Sequence, residues 1–107
     1  IHAEDLVRII FLALTRGENG RIYNCSDDSR IKLGDYLDLI ADRSGLSQPR
    51  RVTRSEAKRV LPDVSWSFVK ESRLISNERM KRELGARLLY PTVNDGVPYK
   101  ISLPSAD

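Results

Sequence analysis

The sequence has few of the residues that build metal or thiol chemistry, with one cysteine, one histidine and one methionine among its 107 residues. The single cysteine, Cys25, cannot form an internal disulfide or a thiolate metal cluster. This fits a reducing compartment and predicts a cytoplasmic protein. The single histidine, His2, would need Cys25 and carboxylates to complete an ordinary zinc site, so no metal site is predicted. The longest apolar run, Ile9 to Leu14, is far shorter than the roughly 20 residues of a membrane helix, so no membrane span is predicted.

Motifs for cofactor binding and catalysis are missing as well. No glycine-rich turn of the dinucleotide or Walker type occurs, no tyrosine stands four residues before a lysine, and no nucleophile elbow accompanies the histidine. No catalytic and no cofactor-binding residue is therefore predicted in this chain. The net charge of +3 reflects 18 basic against 15 acidic residues, which indicates solubility and gives little support to nucleic-acid binding.

The first segment, Glu4 to Thr15, is predicted to be a helix that is apolar on almost all sides. Glu4 and Asp5 in its first turn complement the helix dipole. A helix of this kind is normally covered on several sides. Two explanations fit the pattern: a central core helix of a small domain, or a helix whose second face packs against a layer outside this chain.

The rest of the chain is predicted to form short elements joined by turns. Gly45 is placed to end a helix, Ser76 is placed to cap the start of another, and Thr92 with Asp95 is placed to cap a third. Trp66 and Phe68, two residues apart on a segment that would be extended, fit either a ligand pocket or a core. The predicted strands are residues 21–25 and 49–53, and the further predicted helices are residues 33–44, 55–60, 77–84 and 91–96.

Residues 33–60 also resemble a helix-turn-helix, in which Arg50, Arg51 and Arg54 would contact DNA. Arg51 occupies the position where the recognition helix needs an apolar residue, and Val52 comes one residue late. One residue rotates a helix by about 100°. A DNA-binding regulator is therefore the alternative hypothesis, and a solvated basic segment is the preferred interpretation.

Four stretches of the sequence, taken in order, form a recognisable pattern. The first is a histidine before an acidic helix start, and the second is a tyrosine-asparagine strand. The third is a late helix that ends in leucine-glycine, and the fourth is a closing turn. These stretches are residues 1–6, 22–25, 76–85 and 90–97. Together they resemble the C-terminal region of the extended and atypical short-chain dehydrogenases/reductases, the family of NAD-dependent epimerases and dehydratases.

The resemblance implies an α/β protein: the C-terminal part of a Rossmann-type fold, made of helices with a few short strands. It assigns residues 1–97 to a substrate-binding region and residues 98–107 to a tail. It also implies that NAD or NADP and the catalytic tyrosine and lysine belong to an N-terminal Rossmann half outside this chain. The chain alone would then be inactive, and whether the parent is an enzyme or a non-catalytic scaffold stays open.

The expected partner of this region is a small-molecule substrate, with a nucleotide sugar as one candidate. By the resemblance, His2 and Asn24 lie at positions that help to build the substrate region. Trp66 and Phe68 complete the set of candidate pocket residues. Because Ile1 is not an initiator position, the chain is expected to be a piece of a longer protein.

Overall fold

The computed structural model describes residues 1–100, and its first helix is defined by signals at both ends. Helix α1 (Ala3–Arg16) begins after His2, whose Nδ1 accepts a hydrogen bond from the backbone N–H of Glu4 at 3.1 Å. Acidic residues in the first turn and Arg16 in the last turn both complement the helix dipole. The helix predicted from the sequence is confirmed and is one residue longer at each end.

Five more helices follow, and local capping signals set several of their ends. Thr53 and Thr92 each form a capping box, with Glu56 and Asp95 respectively. Gly45 ends a helix with a φ of 68°, in the left-handed region that favours glycine. The helices are α2 (Leu33–Ser44), α3 (Arg54–Val60), α4 (Asp63–Val69), α5 (Glu78–Leu84) and α6 (Val93–Gly96).

The expected α/β architecture is wrong for the part of the chain that the structure describes, because residues 1–100 contain six helices and no strand. Residues 21–25 and 49–53, predicted as strands, have no regular secondary structure. A strand is defined by a hydrogen-bonded neighbour, and neither segment forms a ladder of backbone hydrogen bonds with any other described segment. Side chains hold the first segment instead: Arg79 donates to the carbonyl of Ile22 at 3.0 Å.

The core is formed where α1 packs against α5. Ile9, Met80, Leu84 and Ala86 are all at most 5% exposed and form one apolar cluster. Beside this cluster the Arg16 guanidinium donates to the carbonyl of Leu84 at 2.9 Å and so satisfies a free carbonyl at the end of α5.

An ion pair between Arg21 and Glu83 extends the contact between the first part of the chain and α5. The Arg21 guanidinium donates two hydrogen bonds to the Glu83 carboxylate, at 2.9 and 3.0 Å. This hydrogen-bonded pairing lowers the pKa of Glu83 and raises that of Arg21. The bidentate geometry fixes the orientation of both side chains.

One buried charge fastens the segment after α5 to the first helix. Asp5 is 1% exposed, and its two carboxylate oxygens accept the backbone N–H groups of Leu89 and Tyr90 at 2.8 and 2.9 Å. A buried charge is tolerated only when it is hydrogen-bonded in this way. Asp5 therefore positions the chain leading into α6.

Helices α3 and α4 form a hairpin that packs mainly on itself. The Arg54 guanidinium lies over the Trp66 ring at 5.5 Å, and it also donates to the carbonyl of Lys70 at the end of α4. Neither helix contains a buried residue. The hairpin is therefore attached to the rest of the chain without contributing to its apolar cluster. We call the part of the chain around that cluster, residues 1–29 and 76–97, the core unit.

The shape is open for a chain of this length. Its radius of gyration is 17.0 Å, whereas a compact domain of this size has about 13 Å. Its accessible surface is 8711 Å², whereas about 6,100 Å² is typical of a monomer of this mass. Much of the excess is apolar, since most of the large apolar side chains of α1 are exposed.

Two further expectations from the sequence were a C-terminal tail and the absence of a membrane span. The predicted tail, residues 98–107, lies largely outside the described residues, which stop at residue 100. No helix within residues 1–100 is long and apolar enough to span a bilayer.

Candidate functional site

His2 is placed by its two roles at the start of α1. Besides capping the helix, its ring stacks on Tyr90, with the ring centroids 3.9 Å apart and the planes at 22°. A hydrogen bond to the Glu4 carboxylate raises the pKa of Tyr90, so this ring stays a neutral phenol. His2 borders a cavity of about 270 Å³ that is also lined by Asp27 and Tyr36.

The other three predicted pocket residues lie elsewhere. Asn24 is exposed and borders a separate cavity of about 240 Å³ with Arg79 and Arg82. Trp66 is partly covered by Arg54, and Phe68 is 79% exposed on α4. The cavities at His2 and Asn24 share no lining residue. The structure therefore does not bring the four residues into one site.

Several cavities of the structure instead meet at a loop that was not among the site residues predicted from the sequence. Residues 26–29, Ser-Asp-Asp-Ser, are called here the 26–29 loop. Together its residues border four cavities, of about 680, 520, 450 and 270 Å³. Short polar side chains of this kind bond readily to nearby backbone. That tendency is the signal from which the loop could have been identified.

The start of α5 holds one side of the 26–29 loop. The Asn77 amide donates both to the carbonyl of Ser26, at 3.1 Å, and to the Asp28 carboxylate, at 2.7 Å. The Lys81 ammonium donates to the same Asp28 oxygen at 2.6 Å. The Asn77 hydrogen bond, and then that of Lys81, lowers the pKa of Asp28. Asp28 is therefore a fixed anion and hydrogen-bond acceptor at neutral pH.

The segment that leads into α6 holds the other side. The Asp28 N–H donates to the carbonyl of Pro91 at 2.7 Å, and the Ser29 hydroxyl accepts the N–H of Val93 at 2.8 Å. Within the loop, the Ser29 N–H donates to the Asp27 carboxylate at 2.9 Å. Apart from this bond within the loop, the bonds come from two distant parts of the chain, so the loop conformation depends on how α5 and the segment at residues 91–93 are packed.

The cavity of about 450 Å³ has the most varied polar lining. Arg30 and Arg73 contribute guanidinium groups, Asn77 an amide and Asp27 a carboxylate. Its volume lies within the range of small-molecule sites. We call it the loop cavity; its full lining is Ile1, Cys25, Ser26, Asp27, Asp28, Ser29, Arg30, Arg73, Leu74, Ile75, Ser76, Asn77 and Glu78.

The side chains that line the loop cavity are of types that bind ligands by hydrogen bonds and charge. Burial raises the pKa of the Cys25 thiol, which keeps it protonated and weakly nucleophilic. Cys25 also contacts the apolar cluster around Ile9. Within residues 1–100 no group of three histidine, cysteine or carboxylate side chains is placed to hold a metal ion. Amide, guanidinium and carboxylate groups of this kind recognise hydroxyl and anionic groups by hydrogen bonding.

The geometry of residues 33–60 differs from that of a helix-turn-helix. Nine residues separate α2 from α3, whereas the motif joins its helices by a turn of about three or four residues. Arg51 is paired with Asp35 at 2.8 Å and with Asp38 at 2.6 Å. Arg51 thus lies outside any helix and pairs with two carboxylates on α2, unlike a residue of a recognition helix.

Comparison with known proteins gives a solved structure with a similar fold. No protein-family model and no curated protein matches the chain. The chain is similar to the solved structure of a functionally unknown conserved protein from Silicibacter pomeroyi DSS, with 33% sequence identity and a TM-score of 0.79. The match covers 90% of this chain and 33% of that protein. The chain thus spans about one third of the length of the solved protein.

Proposed function

We propose that this chain is the substrate-binding portion of an NAD(P)-dependent epimerase, dehydratase or reductase-like protein, and that it is inactive alone. The NAD or NADP and the catalytic residues belong, in this proposal, to another portion of the protein. A nucleotide sugar is the candidate substrate. The function was inferred from four separate stretches of sequence, and their spatial relation supports it.

The observation that carries the proposal is that these four stretches form one packed unit. Asp5 of the first stretch binds the backbone of Tyr90 in the fourth. Met80 of the third packs against Ile9, just after the first. Asn77 of the third holds the loop that follows the second. Residues that resemble one family's substrate region in order along the chain therefore also converge in space.

The loop cavity is the site that we assign to the substrate. Arg30 and Arg73 supply positive charge for a phosphate group, and the polar side chains of the 26–29 loop suit sugar hydroxyls. The cavity is open on one side, so it would hold a ligand only in part. We therefore expect weak binding by the isolated chain, with a dissociation constant of about 1 mM or above.

Chemical-shift mapping of the ¹⁵N-labelled chain tests this assignment. UDP-glucose is expected to shift the amide signals of residues 26–30 and 73–78. Asn77→Ala, which frees the loop, should weaken the response at least severalfold. Ser65→Ala, an exposed change on α4, should leave it unchanged.

Two further probes separate this proposal from its alternatives. NADPH is expected to give no saturable shifts, because the chain carries no dinucleotide-binding motif. A DNA duplex at low salt is likewise expected to give none. The proposal fails if UDP-glucose moves no signal around the loop cavity at 10 mM, or if NADPH or DNA binds the chain saturably.

A further inference from the structure

Helix α1 has two apolar faces, and only one of them is covered. At about 100° per residue, Asp5 and Ile9 lie on the side that packs against α5. Four large apolar side chains, at positions i, i+3, i+4 and i+7, lie within an arc of about 100° on the opposite side. Val7, Ile10, Phe11 and Leu14 are 52%, 52%, 66% and 76% exposed respectively. We call these four residues the outer face of α1.

The outer face is a large and regular apolar patch for a chain of this size. Its exposed apolar area is roughly 500 Å², at the upper end of what the largest patch on a soluble monomer shows. A polar stripe of Glu4, Arg8 and Thr15 borders it on one side. A bounded apolar stripe at helical spacing is the pattern of a helix that packs on a second layer.

The chemistry of the outer face excludes the substrate as its occupant. It has no hydrogen-bonding side chain, and none of its four residues lines any of the five cavities described for residues 1–100. A small-molecule site needs concavity and a few convergent polar groups. A convex aliphatic and aromatic ridge fits a protein surface.

The similar solved protein indicates which protein surface this is. Only 33% of that protein matches this chain, so its fold includes a large portion beyond the matched part. A second copy of this chain is the weaker candidate, because pairing two outer faces would bury only about 1,000 Å² in total, the lower limit for a stable interface. We infer that the outer face of α1 docks on an apolar surface of the cofactor-binding portion of the same protein, an inference that rests on the proposed function.

Thiol labelling of single-cysteine variants tests this docking. In a Cys25→Ser background, Leu14→Cys reports on the outer face and Arg8→Cys on the polar stripe of the same helix. In this chain alone, at micromolar concentration, both thiols should react at similar rates with a maleimide. In the full-length protein, Leu14→Cys should react at least tenfold more slowly, whereas Arg8→Cys should keep its rate.

The outcomes distinguish the docking from its rivals. Equal rates for the two thiols in the full-length protein would overturn it. Protection of Leu14→Cys in the isolated chain that grows with protein concentration would overturn it in favour of a second copy. Labelling within the full-length protein needs no isolated fold, so the test holds even if the chain alone is unfolded.

The proposed function is tested separately, by measuring NADPH binding of the same proteins. NADPH binding of the full-length Arg8→Cys protein is measured by fluorescence before labelling. Protection without NADPH binding would support the docking and remove the cofactor assignment. NADPH binding without protection would support the cofactor assignment and contradict the docking.

Discussion

Replacing Asp5 by asparagine should remove much of the stability of the core unit, because both of its carboxylate oxygens are used. Each oxygen accepts one backbone N–H, from Leu89 and Tyr90, and the side chain is 1% exposed. Asparagine has nearly the same shape but presents an amide N–H₂ to one of these N–H donors. One charge-assisted bond, worth about 1.5–3 kcal/mol, is lost, and a buried donor is left unsatisfied. We expect a loss of about 2–4 kcal/mol.

Urea unfolding followed by circular dichroism measures this loss, and Glu4→Gln is the matched control. Glu4 lies one residue earlier in the same turn but is exposed, so its change removes the same favourable charge near the helix start and leaves both backbone bonds to Asp5 in place. That control should cost about 0.3–1 kcal/mol. Hydrogen exchange at the Leu89 and Tyr90 amides should also accelerate in Asp5→Asn. If the two variants lose equal stability, Asp5 does not hold the two segments together as argued.

Three further changes have expected outcomes. His2→Ala should cost about 1–2 kcal/mol in urea unfolding, through the lost cap and the lost ring stacking, and His2→Asn should recover the cap alone; equal losses would exclude a capping role. Gly85→Ala should cost more than Gly20→Ala, since both glycines have positive φ, at 65° and 75°, but only a Cβ at Gly85 would lie 2.7 Å from the Arg16 guanidinium; thermal melts of both variants decide this. The hydrogen bonds that lower the pKa of Asp28 stabilise the fold at pH values above the ordinary aspartate pKa of about 3.9, and this stabilisation is lost as the pH falls below that value. Asp28→Asn should therefore flatten the plot of unfolding free energy against pH between about pH 4 and pH 2. An unchanged plot would contradict this.

The helix ends were predictable from the sequence because they depend on neighbouring residues alone. Gly45 adopts the left-handed conformation that ends α2, and Thr92 with Asp95 forms the predicted capping box. Ser76, predicted as a cap, does accept the N–H of Glu78, although the helix itself begins one residue later than expected. Such signals involve contacts within a few residues and need no tertiary information.

The strands could not be settled in the same way. An alternating pattern shows that a segment can be extended, but a strand exists only where a second segment offers hydrogen bonds. Helix α4 was missed for a related reason, because Trp66 and Phe68 two residues apart suggested an extended segment. The relevant spacing was Val64 to Phe68, four residues apart on one side of the helix. With only seven residues, α4 gives too short a pattern to show its period.

The candidate site was predicted only in its parts. His2 was selected by resemblance, and its contacts with Glu4 and Tyr90 follow from the fold. The 26–29 loop was treated as a connection, although its bonds to Asn77 and Lys81 make it the best-connected polar element of the core unit. Those partners lie about 50 residues away in the sequence. The polar composition of the loop shows that it can form such bonds, but the residues around it do not show which distant partners it binds.

Helix α1 shows most clearly where sequence reasoning stops and structure decides. Both of its faces are apolar, so periodicity alone could not determine which one lies in the core. Asp5 settles the question, because a carboxylate on the inner side can be buried only where two backbone N–H groups meet it, and the segment at residues 89–90 provides them. Arg16, on the same side, makes the matching bond at the other end of the helix. The hydrogen bonds of Asp5 and Arg16 thus determine which side of α1 lies in the core. The outer face of Val7, Ile10, Phe11 and Leu14 stays exposed and available to a partner.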